Sequence, residues 1–254
     1  FDFDFVSTIS TACSSAANAI IMGADMIKAG RVDAAIVGGT ESLSKFHLNG
    51  FNSLMILEHA PCRPFDQNNH GLNLGEGAAY IVIEKESNAL RRGANILCRL
   101  SGYANSCDAY HQTATSPDSD GEVKAMTEAL KNSGLTASDI DYINAHGTGT
   151  DDNDLHESIA IKNVFAEQIP PFSSTKSSTG HTTSAAGAVE AVISILSILE
   201  GFIPPNLGFE TMLPETGLVP QTELKRTAIK HVMSNSFGFG GNDSTCIFSK
   251  YESK

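Results

Sequence analysis

Apolar positions along the chain alternate between a helical and an extended period. Between residues 14 and 29, Ala, Ile and Met recur at helical spacing, and Gly30 closes the run. Residues 33–39 form a short apolar stretch bounded by glycines, which predicts a strand buried on both faces. Residues 46–59 predict a second helix, 61–73 a turn-rich segment and 78–84 a strand, with a short helix running to residue 90.

A soft break falls at Arg91-Arg92-Gly93, and the pattern then restarts. It predicts a strand at 96–102, a polar loop at 108–120 and an amphipathic helix at 122–133 closed by Gly134. A strand at 140–145, a helix at 155–165 and a long apolar helix at 185–200 follow. Pro204-Pro205-Asn206 forces an extended segment. Two closing strands, 228–235 and 245–250, flank a glycine-rich loop at 237–241. Alternating strands and helices argue an α/β fold of packed layers, divided into residues 1–92 and 93–254.

Composition narrows the class. The chain has 254 residues, 41% of them hydrophobic and 18% charged, enough for a large core or two packed halves. Its net charge of −12 argues against a nucleic-acid binder, which carries a basic face. The apolar run at 185–199 is broken by Gly187, Glu190, Ser194 and Ser197, so a core helix is expected and no membrane span. Five scattered cysteines without a CxxC pair suggest neither zinc nor a disulfide framework, and a reducing compartment, the cytoplasm, is expected. The opening Phe1-Asp2-Phe3-Asp4-Phe5 is neither a start Met nor a signal peptide, so the natural N-terminus is expected upstream.

Four tracts carry candidate chemistry. In Thr11-Ala-Cys-Ser-Ser-Ala16, a cysteine flanked by small residues sits where a helix begins. Unpaired N–H groups there favour a thiolate and would hold an oxyanion, while a small core cysteine has the same signature. In Asn144-Ala-His-Gly-Thr-Gly-Thr150, His146 follows a strand, and its glycines let the backbone approach a ligand. Asp154 and Glu157 lie three apart on one face of the next helix, placed to cap or pair. In Ser174-Thr-Lys-Ser-Ser-Thr-Gly-His181, Lys176, His181 and the later Glu190 gather at one helix start, and the helix end favours a neutral imidazole. In Ser234-Asn-Ser-Phe-Gly-Phe-Gly-Gly-Asn242, glycines between Phe237 and Phe239 suit a mobile gate on an apolar tunnel, or a hairpin turn with both rings in the core. One cysteine followed by two histidines in small-residue loops is a nucleophile with two hydrogen-bonding partners.

The ordered set TACSSA, PFD…LGEGAA, DAYH, NAHGTGT, STKSSTGH…AAGAVEA and NSFGFGG resembles the elongating β-ketoacyl-acyl-carrier-protein synthases of the Cys-His-His type, over essentially the whole chain. The resemblance implies a thiolase-like fold, layered α-β-α-β-α, represented here by the end of the first half and the whole second half. It implies that Cys13 carries the acyl group and that His146 and His181 hold the malonyl thioester carbonyl during decarboxylation. Backbone N–H groups of Cys13 and Phe239 would bind the oxyanion. Lys176, Glu190, Asp154 and Glu157 would support the site. Thr148 and Thr150 would hold the phosphopantetheine arm, Phe237, Phe239 and Gly240 would form the gate, and Phe51 would line the acyl tunnel. The implied partners are acyl carrier protein and a second ketosynthase subunit, identical or related, meeting near residues 33–39. No bound cofactor or metal is implied; the glycine motifs lack a Walker lysine and a strand–GxGxxG–helix context.

Asn68-Asn69-His70-Gly71, Ser184, Gly241-Asn-Asp243 and Met55 depart from the family pattern, and together suggest a branch serving polyene or other specialised polyketide synthesis. Three other readings compete: a non-catalytic partner of the chain-length-factor type, a thiolase acting on CoA thioesters, and a bare fragment without activity, whose missing upstream segment would leave apolar surface exposed. The intact Cys-His-His set argues against the first. The paired NAHGTGT and STKSSTGH tracts argue against the second.

Overall fold

The computed structural model describes residues 3–252, so Phe1 and Asp2 of the opening tract lie outside the described residues. The strands are β1 (Ala34–Glu41), β2 (Gly77–Glu84), β3 (Cys98–Cys107), β4 (Tyr142–Asn144), β5 (Phe172–Ser173), β6 (Phe202–Ile203), β7 (Lys225–Arg226), β8 (His231–Gly238) and β9 (Asn242–Lys250). The helices are α1 (Ser15–Lys28), α2 (Lys45–Ser53), α3 (Glu86–Arg91), α4 (Asp120–Ser133), α5 (Asp151–Phe165), α6 (Lys176–Thr179) and α7 (Ala186–Glu200).

A five-stranded mixed sheet in the order β3-β9-β8-β4-β5 forms the centre, with β8 parallel to β4 and antiparallel to β9. Helices α4 and α5 cover one face. On the other face α1 and α7 pack side by side, and the β1–β2 hairpin lies over them. The strand alternation builds both interfaces at once. Along β4, Tyr142 enters the core under α7 while Ile143 enters the core under α4 and α5. Val232 and Met233 of β8 divide in the same way, as do Phe248 and Ile247 of β9. Each fully buried apolar side chain of this kind stabilises the fold by about 1.5–3 kcal/mol.

The predicted elements are present, with revised limits. Helix α5 begins at Asp151, earlier than residue 155, because Asp151, Asp152 and Asp154 occupy its first turn and complement the positive helix end. The helix predicted over 46–59 stops at Ser53, and Met55 adopts φ 56. Strand β3 runs on to Cys107 because β9 pairs with it along its length, with a bulge between Leu100 and Gly102. Strands β8 and β9 approach until only Phe239-Gly240-Gly241 remains as a turn, with φ of 86° and 70° at the two glycines. Residues 33–39 were expected to be buried on both faces, and this is corrected: Val37 is 7% exposed against α1, but Ile36 is 55% exposed. Tyr80 and Val82 of β2 are also exposed, and no helix covers that outer face among the described residues.

The span Thr183–Glu200 is long and apolar enough to cross a membrane by length and composition. Its packing makes it a core helix. Ala186, Gly187, Ala188 and Ala191 are buried, and a Cβ at Gly187 would stand 2.8 Å from the Ala17 nitrogen on α1. Small residues bring α1 and α7 close, and this fixes the distance between the segments that lead into them, which carry Cys13 and His181.

Candidate active site

Cys13 sits on a tight elbow just before α1. Ala12 adopts φ 51, in the left-handed region that alanine rarely visits. The Ser14 and Ser15 amides donate back to the Thr11 and Ala12 carbonyls at 3.3 and 3.2 Å. The sulfur lies 3.0 Å from His181 Nε2. Burial pushes the thiol up to about 11, against the opposing pull of the Lys176 charge and the Phe239 backbone N–H. This runs against the expectation of a thiolate favoured by the helix start: burial is the largest influence on the thiol and acts in the opposite direction.

His146 leaves β4 in a loop held by two carboxylates of α5. Glu157 accepts from the His146 amide at 2.9 Å and the Gly147 amide at 2.7 Å, and from Asn235 Nδ2 at 3.2 Å. Asp154 accepts from the Gly149 amide at 3.1 Å and from the Phe65 amide. Both carboxylates are buried and face backbone, so they shape the loop without touching the cavity. Burial raises the Asp154 carboxyl to about 7 and also raises Glu157. Gly147 has φ 37, and a Cβ there would lie 2.5 Å from Ser174 Cβ, so the loop closes only around glycine.

Lys176 opens α6 and is 2% exposed. Its Nζ donates to the His146 carbonyl and to Glu190 Oε1, and stands 3.2 Å from His146 Nδ1. An ammonium has only protons to give, so Nδ1 accepts and Nε2 carries the His146 proton. His181 differs: its buried Nδ1 has no hydrogen-bond partner, so neither tautomer is locked. Burial first, then the Lys176 charge, holds both imidazoles well below their ordinary range, and both are neutral at pH 7. The rings lie 5.4 Å apart, nearly perpendicular.

One donor-type atom from each of Cys13, His146 and His181 lies within 4.8 Å of the others. The spacing alone would suit a metal ion. Lys176 makes His146 Nε2 a hydrogen-bond donor, however, whereas a metal needs its lone pair. The arrangement is suited to holding a carbonyl oxygen beside a thiol.

A cavity of about 310 Å³ opens onto these three side chains. All six residues assigned to substrate line it: Phe51, Thr148, Thr150, Phe237, Phe239 and Gly240. The two threonine hydroxyls are 2.9 Å apart. Phe239 stacks on Phe51 at 6.2 Å and is 36% exposed. Phe237 is no mobile tip. It is buried at the end of β8, 6.0 Å from the His146 ring. Sequence reasoning did not place Thr113–Thr115, His70 or Asp151 on the wall, although the DAYH tract that leads into the 113–115 loop was a signal. It also missed the anchoring role of Asn242, where donors from two other elements meet.

A layered α/β fold that brings a buried cysteine and two histidines onto one cavity is the arrangement the resemblance to β-ketoacyl synthases implies. The model for the β-ketoacyl synthase N-terminal domain matches residues 5–89, and that for the C-terminal domain matches 97–210. The chain belongs to the β-ketoacyl synthase family. It is 39% identical over 251 residues to 3-oxoacyl-[acyl-carrier-protein] synthase 2 of Staphylococcus aureus, covering 95% of this chain and 61% of that protein. Among solved structures it matches the ishigamide ketosynthase/chain length factor at TM-score 0.93 and 35% identity, over 97% of this chain and 61% of that one. A type II polyketide-synthase acyl-carrier protein in complex with its ketosynthase matches at TM-score 0.93 and 32% identity, over 98% and 64%. The chain thus spans about three-fifths of the length of these proteins.

Proposed function

We propose that the protein is a β-ketoacyl synthase catalysing decarboxylative condensation of an acyl group on Cys13 with a malonyl thioester. The observation that carries this is the 3.0 Å contact between Cys13 Sγ and His181 Nε2, beside a His146 held as a donor by Lys176. In the first half-reaction the sulfur attacks an acyl thioester. Its proton passes through His181 Nε2 to the departing pantetheine sulfur, which leaves as a thiol. In the second, malonyl thioester loses carbon dioxide while His146 and His181 donate to its carbonyl oxygen. The carbanion attacks the acyl-Cys13 carbonyl, and the Cys13 sulfur leaves as a thiolate, which takes one proton from solvent to restore the thiol. The Cys13 and Phe239 backbone N–H groups would face the oxyanion; the Phe239 N–H already opposes the upward push of burial on the thiol. Thr148 and Thr150 hold the phosphopantetheine arm, Phe237, Phe239 and Gly240 form the gate side of the cavity, and Phe51 lines the acyl path. Glu190, Asp154 and Glu157 support these groups from behind.

Substrates arrive on acyl carrier protein, and no bound cofactor or metal takes part. The carrier's phosphopantetheine supplies the thioester. A second ketosynthase-like subunit, identical or related, is the expected partner, and the exposed outer face of β1–β2 is where we expect it. We place the enzyme in the cytoplasm. We read residue 92 as the seam between the two halves, supported by the gap between the two family-model matches. The pathway is fatty acid or polyene/polyketide elongation; the departures at residues 55, 68–71, 184 and 241–243 favour the specialised branch.

Intact-mass analysis after incubation with an acyl-carrier-protein thioester tests the reading. An acyl-sized gain that disappears in Cys13→Ala, and ketoacyl product after malonyl-carrier protein is added, are expected. A folded protein that gains no mass across several acyl lengths would instead be a non-catalytic partner subunit.

A further inference from the structure

The turn that carries Phe239 hangs between two residues, Gly238 at the end of β8 and Asn242 at the start of β9, which face each other in the strand register. Both are fastened to the nucleophile segment. Gly238 packs so closely that a Cβ there would lie 2.9 Å from the Thr11 carbonyl oxygen and 3.2 Å from Ser14 Oγ. Asn242 is fastened by hydrogen bonds. Its Oδ1 accepts from Asn18 Nδ2 on α1 at 2.8 Å and from Asn105 Nδ2 on β3 at 2.8 Å, and Ser14 Oγ, next to Cys13, lies at 3.1 Å. Asn18 also donates to Thr11 Oγ1 at 2.9 Å, and Ser14 Oγ reaches the Thr11 carbonyl at 2.7 Å. One oxygen therefore joins the elbow, the nucleophile helix and the neighbouring strand to the turn.

The turn's other anchors lie on its outer side: the Gly240 amide donates to the Gln112 carbonyl at 2.9 Å, the Asp108 amide donates to the Gly241 carbonyl at 3.1 Å, the Gly241 amide closes back on the Gly238 carbonyl at 3.1 Å, and the part-exposed Phe239 ring stacks on Phe51. Among the described residues, the side-chain hydrogen bonds that tie the turn toward the Cys13 segment are those of Asn242. An oxyanion donor works only if it is fixed within a few tenths of an ångström before the charge develops. We propose that Asn242 is the positioning residue that fixes the Phe239 N–H over Cys13, acting as an acceptor hub and never touching substrate. This rests on the reading of Cys13 as the acyl-carrying nucleophile. The two amide nitrogens that approach Oδ1, Asn18 Nδ2 and Asn105 Nδ2, each bring a proton, while the single Ser14 hydroxyl proton is nearer the Thr11 carbonyl, so the hub requires an oxygen acceptor at residue 242 and has no need of an amide donor.

The test compares single-turnover acylation of Cys13 by acyl-carrier protein, followed by intact mass, in the full-length protein and in Asn242→Leu, Asn242→Asp and Asn105→Ala. Leucine keeps the branched shape and removes the acceptor. The saturating rate is expected to fall about tenfold, part of the 10²–10³ of losing an oxyanion donor outright, with the half-saturating carrier concentration unchanged. Aspartate keeps the acceptor and is expected to recover the rate to within about threefold, because displacement and not removal of the donor is at stake. Asn105→Ala removes one exposed donor to the hub, and its rate should fall by about two- to threefold, in proportion to one weakened hydrogen bond. Asn242→Leu with an unchanged saturating rate overturns the proposal. So does an aspartate variant as slow as leucine, or a loss confined to half-saturation. If Asn242→Leu does not fold, an unchanged rate in Asn105→Ala overturns it. A wild-type protein that is not acylated at all refutes the nucleophile reading itself, a result distinct from each of these.

Discussion

Lys176 Nζ stands 3.2 Å from His146 Nδ1 and is bonded at the same time to Glu190 Oε1. A buried ion pair thereby selects the tautomer of a histidine that faces the cavity. Removing one partner leaves a buried, uncompensated charge. Lys176→Met should therefore destabilise the protein by about 3–5 kcal/mol, and Lys176→Met with Glu190→Leu should recover most of it. Urea unfolding of the single and double variants measures both. Near-equal stability of single and double would show that the pair is not coupled.

Cys13 reactivity should follow the buried thiol. Its value is pushed up to about 11, so the thiolate is scarce at pH 7. Iodoacetamide alkylation of Cys13 is expected to rise about tenfold per pH unit between pH 7 and 10, without the plateau of an activated cysteine. Mass-resolved alkylation, with Cys13→Ala as the blank, gives the profile. A plateau reached below pH 8 would mean a resting thiolate and would contradict the dominance of burial.

Asp243 follows the gate turn with its Oδ2 buried and unpartnered, and burial first, then the neighbouring Asp108 and Glu157, raises it to about 7. The folded state therefore holds this proton to higher pH than the unfolded state, whose value is near 3.8. Stability from this group is fullest below about pH 4 and declines as pH rises through 7. Asp243→Asn should leave stability unchanged near pH 4 and increase it by about 2 kcal/mol at pH 8, read as a growing gap between denaturation midpoints. A gap constant across pH would refute the linkage.

Glu157 grips two successive amides of the histidine loop with both oxygens. Glu157→Ala leaves two buried backbone N–H donors unsatisfied, together with Asn235 Nδ2, and should cost about 2–4 kcal/mol. It should also slow condensation more than Cys13 acylation, because His146 is displaced while the elbow is not. Single-turnover measurement of each half-reaction separates the two. Equal slowing would place Glu157 outside the histidine loop's function.

What the sequence made legible was local. The elbow cysteine, the strand-borne His146 and the small-residue approach to His181 are each written in a few adjacent residues, and the cavity gathers them. Two properties were not written that way. The Cys13 pKa depends on how much protein surrounds the sulfur, and the helix start that was visible points in the opposite direction. The burial of β1 depends on what covers its second face, and an apolar run such as Ala-Ala-Ile-Val carries no information about its neighbour. Asn242 stood out only as a departure from the family pattern, and its anchoring role stayed unread for a related reason. Its partners Ser14 and Asn18 are 228 and 224 residues away, and an asparagine in a glycine turn is unremarkable by itself.

Strand order sets a timetable for biosynthesis. The last strand of the described chain, β9, is interior to the sheet, flanked by β3 on one side and β8 on the other. The 98–107 segment therefore waits on the ribosome without its sheet neighbour among the described residues until residues 242–250 have emerged, while Cys13, made well before them, has neither His181 nor the Phe239 N–H beside it until those segments follow. On the proposed function, a nascent chain halted before residue 242 should be inert toward acyl thioesters, so synthesis in this order would keep a half-made chain from consuming substrate.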